Sequence, residues 1–93
     1  VAQLKHIFKA IRLERKKQAD KWNRSHDWGY GDCSSGLVER MTKVAVLTEE
    51  VGEVARAVLE NKSADNEQLR EELVQVAAVA VAWLEHEGIN DEL

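Results

Sequence analysis

The most restrictive stretch of this chain is Val76 to Leu84, nine apolar residues in succession. On an α-helix such a run covers more than two turns and therefore the whole circumference. A helix that is apolar all round must be buried on all sides. The run is far too short to cross a bilayer, which takes about 20 such residues. A chain of 93 residues is one domain, residues 1–93, near the lower end of what a single core supports. Three helices cannot easily surround one of their own number. The expectation is an all-α bundle of three long helices per chain, completed by homo-oligomerisation as a homodimer or a dimer of dimers.

Local patterning supplies the helices. The chain has no proline, so nothing in its interior forbids long ones. Leu4, Ile7, Phe8 and Ile11 recur at i, i+3, i+4 and i+7, and Arg15, Gln18 and Trp22 extend the phase, predicting a helix over 2–23. Residues 23–36 read as a loop, with three glycines among Asn, Ser and Asp and room for a short extra helix within 24–36. Ser34 or Ser35 is placed to cap a second helix over 37–60. Asp65 followed by Gln68 resembles a capping box for a third helix over 67–87, with Gly88 as its left-handed terminator. The lone Cys33 excludes an intrachain disulfide and fits a reducing compartment, where it serves as a small loop residue. Without a signal peptide or long apolar span, the chain reads as soluble and cytoplasmic.

Charge is divided along the chain. Residues 1–43 hold ten Lys/Arg against five Asp/Glu, and residues 44–93 hold three against twelve. An acidic half beside a basic half suits a metal–polyphosphate ligand. Within the acidic half, Glu50 and Glu53 on the second helix, and Glu72 and Gln75 on the third, have i,i+3 spacing. That spacing brings side chains within about 5–6 Å at Cβ on one face. Glu49 and Glu71 lie adjacent, and Gly52 leaves room for a neighbour to approach. These acids interrupt apolar stretches, where carboxylates are costly unless paired or metal-bound. Oxygen ligands suit Mg²⁺, with Mn²⁺ as the alternative, rather than zinc.

Leu47-Thr48-Glu49-Glu50-Val51-Gly52-Glu53-Val54, followed by Leu69-Arg70-Glu71-Glu72-Leu73-Val74-Gln75-Val76, resembles an E-E-x-x-E … E-x-x-D signature. It is that of the MazG-like, all-α nucleoside triphosphate pyrophosphohydrolases. Glu14-Arg15-x-x-Gln18-x-x-Lys21-Trp22 is similar to a segment of the phage and mobile-element branch of that family. The resemblance implies a homo-oligomeric bundle converting an NTP or dNTP to NMP and pyrophosphate with Mg²⁺. Glu50, Glu53 and Glu72 would ligate metal, and Glu49 would add a ligand or orient the attacking water. Gln75 stands where the signature has Asp; its amide oxygen can coordinate but brings no charge and cannot act as a base. Arg15, Lys17 and Lys21 would neutralise phosphates, Trp22, Trp28 or Tyr30 would stack on a base, and Gln18 belongs to the same substrate-facing segment.

Other residues read more plainly. Trp83 is expected in the core, His86 at an exposed helix end, and His6 and His26 on the surface. Two other functions compete with hydrolysis: a catalytically impaired module that binds nucleotide or metal, and a nucleic-acid-binding or structural helical protein. Negative total charge and the interruption of the basic helix by Glu14 and Asp20 weigh against nucleic acid. No membrane partner is expected.

Overall fold

The computed structural model describes residues 2–60 and 66–89. It is mostly helical, with α1 over Ala2–Trp22, α2 over Arg40–Glu60 and α3 over Glu67–Glu87. Between α1 and α2 the chain forms a small antiparallel hairpin, β1 (Ser25–His26) and β2 (Gly29–Tyr30), with Ser25 opposite Tyr30 and His26 opposite Gly29. No helix occupies 24–36, contrary to the allowance made for one. The glycines explain this: Gly29 and Gly31 have φ of 136° and 87°, backbone states that break a helix. A Cβ at Gly29 would also lie 2.6 Å from the Leu37 carbonyl oxygen, so the hairpin packs flush against the segment that leads into α2.

The second helix begins at Arg40, three residues later than expected. Ser35 does not cap it. Its hydroxyl accepts from Leu37 N–H at 3.0 Å and its carbonyl from Val38 N–H at 3.3 Å, a local turn that competes with helix entry. Ser34 instead donates its N–H and hydroxyl to Asp32 Oδ1 at 2.8 and 2.5 Å. The third helix has the expected bounds. Its N-cap Asn66 makes no side-chain capping bond, and Asp65 of the expected capping box lies outside the described residues. Gly88 has the expected positive φ of 82° but an extended ψ of 169°, and its N–H reaches Leu84 O at 2.7 Å.

The central element is α3, which packs along both α2 and α1. Ala78 and Ala82 are fully buried and Val79 nearly so, one face of the apolar run. Val79 and Ala82 form a core with Cys33, joined by Val46 and Leu47 from α2. Small residues at 78 and 82 let the neighbouring backbones come close. Cys33 is thus an interior residue, and burial pushes its thiol above the ordinary range. Val76, Ala77, Ala80, Val81 and Trp83 are only half-buried, and Leu73 and Leu84 are exposed. Within one chain the run is therefore enclosed on one side only. Trp83 sits at the core's edge and donates its indole N–H to Glu87 at 2.9 Å.

Two arginine forks hold the C-terminal turn of α3. Arg40 meets both oxygens of Glu87 at 2.8 Å, joining it to the start of α2. Arg15 meets Glu85 at 2.6 and 3.3 Å, joining it to α1. Hydrogen bonds to Arg40 and Trp83 pull the Glu87 carboxyl down to about 2. The radius of gyration is 14.4 Å, above the value of about 12 Å usual for this length. The accessible surface of 7087 Å² likewise exceeds the roughly 5,400 Å² of a folded monomer of this mass. Among the described residues no helix is long and apolar enough to cross a membrane.

Candidate functional site

A cleft of about 200 Å³ opens where α1, the hairpin loop, α2 and α3 meet. The first helix contributes Glu14, Lys17, Gln18, Lys21 and Trp22, the loop Trp28, Asp32 and Cys33, α2 Glu49 and Glu50, and α3 Gln75 and Val79. The spacing of Glu14, Lys17, Gln18 and Lys21 at i, i+3, i+4 and i+7 puts all four on one stripe of α1. Eight of the residues expected in a site therefore share one cleft: Lys17, Gln18, Lys21, Trp22, Trp28, Glu49, Glu50 and Gln75.

Electrostatically the cleft centres on Glu50. Burial raises its carboxyl above the ordinary 4.5, and the charges of Glu72, Glu49, Glu53 and Glu14 push the same way. Glu53 and Glu72 do not line the cleft itself, but they belong to this field. Oxygen Oε2 of Glu50 is buried with no hydrogen-bond partner among the described residues. A buried acceptor among like charges is costly, and a cation would relieve both the charge and the missing bond. The donor chemistry therefore fits a hard divalent ion. As the side chains stand, no three His, Cys, Asp or Glu residues among those described converge into a ligand set.

Arg15 is placed differently from the expectation. Its guanidinium bonds Asp32 Oδ2 at 2.7 Å, Gln18 Oε1 at 3.0 Å and Glu85, with only 11% of the side chain exposed. It is committed to the fold and does not line the cleft. Burial alone would raise Asp32, but bonds from the Ser34 hydroxyl, Arg15 and the Ser34 N–H outweigh it and hold the carboxyl low.

The aromatic end also differs. Trp22 and Trp28 lie against each other, with ring centroids 4.9 Å apart, and His26 sits 5.0 and 4.2 Å from them. His26, expected on the surface, is half-buried in this cluster. Its Nε2 donates to the Gly31 carbonyl at 2.7 Å, and Nδ1 is buried without a partner among the described residues. Lys21 Nζ stands 5.1 Å from the Trp22 ring, within cation–π range. Tyr30 is exposed and lies outside the cleft, reaching Asn23 Oδ1 at 3.5 Å. His6 and His86 are exposed as expected. Gly52 faces open space, with nothing within 4 Å of an added Cβ, so no neighbour among the described residues accounts for it.

The residues that sequence reasoning passed over are Glu14, Asp32, Cys33 and His26. Glu14 was legible, being one turn before Gln18 on the same stripe. Asp32 and Cys33 reach the cleft through the loop that follows the hairpin, and His26 backs Trp22 and Trp28 from within it; no helical periodicity reports either. No protein-family model, curated protein or solved structure matches this chain.

Replacing Arg15 by Ala leaves the buried Asp32 carboxylate without its cation and should cost about 3 kcal/mol in urea denaturation at neutral pH. Arg15→Lys should restore little, since an ammonium cannot reproduce the fork. The depressed Asp32 pKa contributes stability that is present above the ordinary 3.8 and lost as pH falls through the lower folded value. The Arg15→Ala penalty should therefore shrink in strong acid. Glu50 has the opposite sign: its raised pKa makes ionisation oppose folding as pH rises through the folded value. Glu50→Gln should melt higher than the parent at neutral pH without added cation, and the gap should close below pH 4.5.

Proposed function

We propose that this chain is a MazG-like, Mg²⁺-dependent nucleoside triphosphate pyrophosphohydrolase acting in the cytoplasm on an NTP or dNTP. The observation that carries the reading is Glu50: its unpartnered, buried oxygen lies amid four other carboxylates, at a cleft whose α1 wall carries Lys17 and Lys21. In this reading Glu50, Glu53 and Glu72 hold the metal, and Gln75 donates its amide oxygen. When bound, the ion supplies charge neutralisation and polarisation of phosphoryl oxygens. Glu49 orients a water and takes its proton as the water oxygen bonds to the α-phosphorus. The α–β bridging bond breaks and pyrophosphate leaves. Lys17 and Lys21 offset phosphate charge, Gln18 hydrogen-bonds the substrate, and Trp22 and Trp28, which both line the cleft, meet the base. Base stacking of this kind contributes about 1–3 kcal/mol per base in nucleic-acid complexes.

A second reading, a binding module without turnover, draws support from Gln75, which borders the cleft as a neutral amide. Pyrophosphate release separates the two. Purified protein with Mg²⁺ and a panel of NTPs and dNTPs should release pyrophosphate, and Glu53→Ala should abolish it. Mg²⁺-dependent nucleotide binding with no release across the panel would favour the binding module. Gln75→Asp should raise turnover or lower the Mg²⁺ requirement, because a charged ligand is restored.

The same reading includes assembly. Leu4, Ile7, Phe8 and Leu13 of α1 and Leu73 of α3 are all exposed. Several of them border a groove of about 870 Å³ between α1 and α3, which Glu14, Lys17 and Gln75 share with the cleft. A second copy seated there would cover apolar surface of the kind that obligate interfaces bury and would close one flank of the site. Sedimentation equilibrium should give an integral multiple of the chain mass, at least a dimer, and Leu13→Asp, placed in the groove, should shift it toward the monomer.

A further inference from the structure

Lys43 is the largest side chain wholly removed from solvent among the described residues. Its Nζ has no hydrogen-bond partner there. An ammonium brings three donors, and leaving them unmet in an interior is strongly unfavourable. An unbranched apolar residue such as methionine would fill comparable space without that cost. The position calls for another explanation.

Its place in α2 supplies one. Lys43 stands one turn before Val46 and Leu47, which pack against the core of Cys33, Val79 and Ala82. Two of those core residues, Cys33 and Val79, also line the cleft. Lys43 does not itself line the cleft, but it stands seven residues and two turns before Glu50 on the same helix face, close enough to the lining residue Cys33 for its charge to be felt there. Its charge acts on the Cys33 thiol, opposing the rise that burial and Asp32 produce. The four-carbon stem can swing Nζ without moving the backbone.

We infer that Lys43 is an anion-binding residue of this cleft, its ammonium donating to a phosphoryl oxygen of a polyphosphate seated over Cys33 and Val79. The inference rests on the reading of the cleft as a triphosphate site. It adds a basic group near Cys33, opposite in sign to the Glu50 cluster and distinct from the Lys17 and Lys21 wall. A metal-bound polyphosphate needs both signs at once: carboxylates for the ion and ammonium groups for the remaining phosphoryl oxygens.

The test uses the full chain and inorganic tripolyphosphate, titrated calorimetrically with and without Mg²⁺. Lys43→Met should weaken binding at least about tenfold, the loss of one charge-assisted hydrogen bond. The same variant should melt higher than the parent without ligand, whereas a purely structural lysine would melt lower when replaced. Unchanged affinity in Lys43→Met, or no tripolyphosphate binding by the parent, overturns the inference. Should the variant not fold, the ¹³Cε–¹H NMR signal of Lys43 in the parent decides: a shift on adding tripolyphosphate supports the contact, and an unmoved signal overturns it. Lys43-dependent tripolyphosphate binding without nucleotide turnover would keep this residue's role and remove the hydrolase reading. Turnover with Lys43-independent affinity would do the reverse.

Discussion

The fold depends most on the Arg15 guanidinium. Planar and always charged, it can serve several acceptors from one rigid fork. Here it reaches Gln18 on its own helix, Asp32 in the loop and Glu85 at the end of α3. Asp32 in turn organises Ser34, setting the turn that leads into α2. One side chain thereby fixes the angle of α1 against α3 and the position of the hairpin that closes the cleft. The Arg40–Glu87 pair does similar work for α2, but it is more exposed, and such pairs contribute little individually.

Around that clamp the interior is unusually charged for a small domain. Glu50 and Lys43 both have buried atoms without partners among the described residues, while the enclosed apolar core is narrow and rich in alanine. Native interiors hold few such atoms, and each calls for a cause. The two groups occupy one face of α2, opposite in sign and two turns apart. A ligand carrying both a cation and anionic oxygens would satisfy both. The cost of burying these two groups and the proposed affinity of the cleft for metal–polyphosphate then have the same origin.

Much of the candidate site was legible because it lies on helices. A period of 3.6 residues ties Glu50 to Glu53, Glu72 to Gln75, and Lys17 to Lys21, and the fold brings these stripes toward one cleft. Arg15 shares the stripe pattern of α1, yet its charge is met by Asp32 and Glu85, residues 17 and 70 positions away. No local pattern distinguishes an arginine facing ligand from one facing two distant carboxylates. His26 failed for a related reason: its burial comes from a two-residue ladder and two tryptophans that the hairpin folds together. Lys43 carries no mark in the sequence either, since a lysine on an amphipathic helix ordinarily faces water.

The sequence by itself determined three helices and nearly all their bounds, because apolar periodicity, absent proline and glycine punctuation act over a few residues. It also determined that the acidic pairs share helix faces, since i,i+3 geometry is local. Tertiary structure alone decided which charges are met within the fold and which are left facing a cleft. Solvation and pairing depend on what other segments bring alongside, and that is settled only when α1, the hairpin and α2 close around α3.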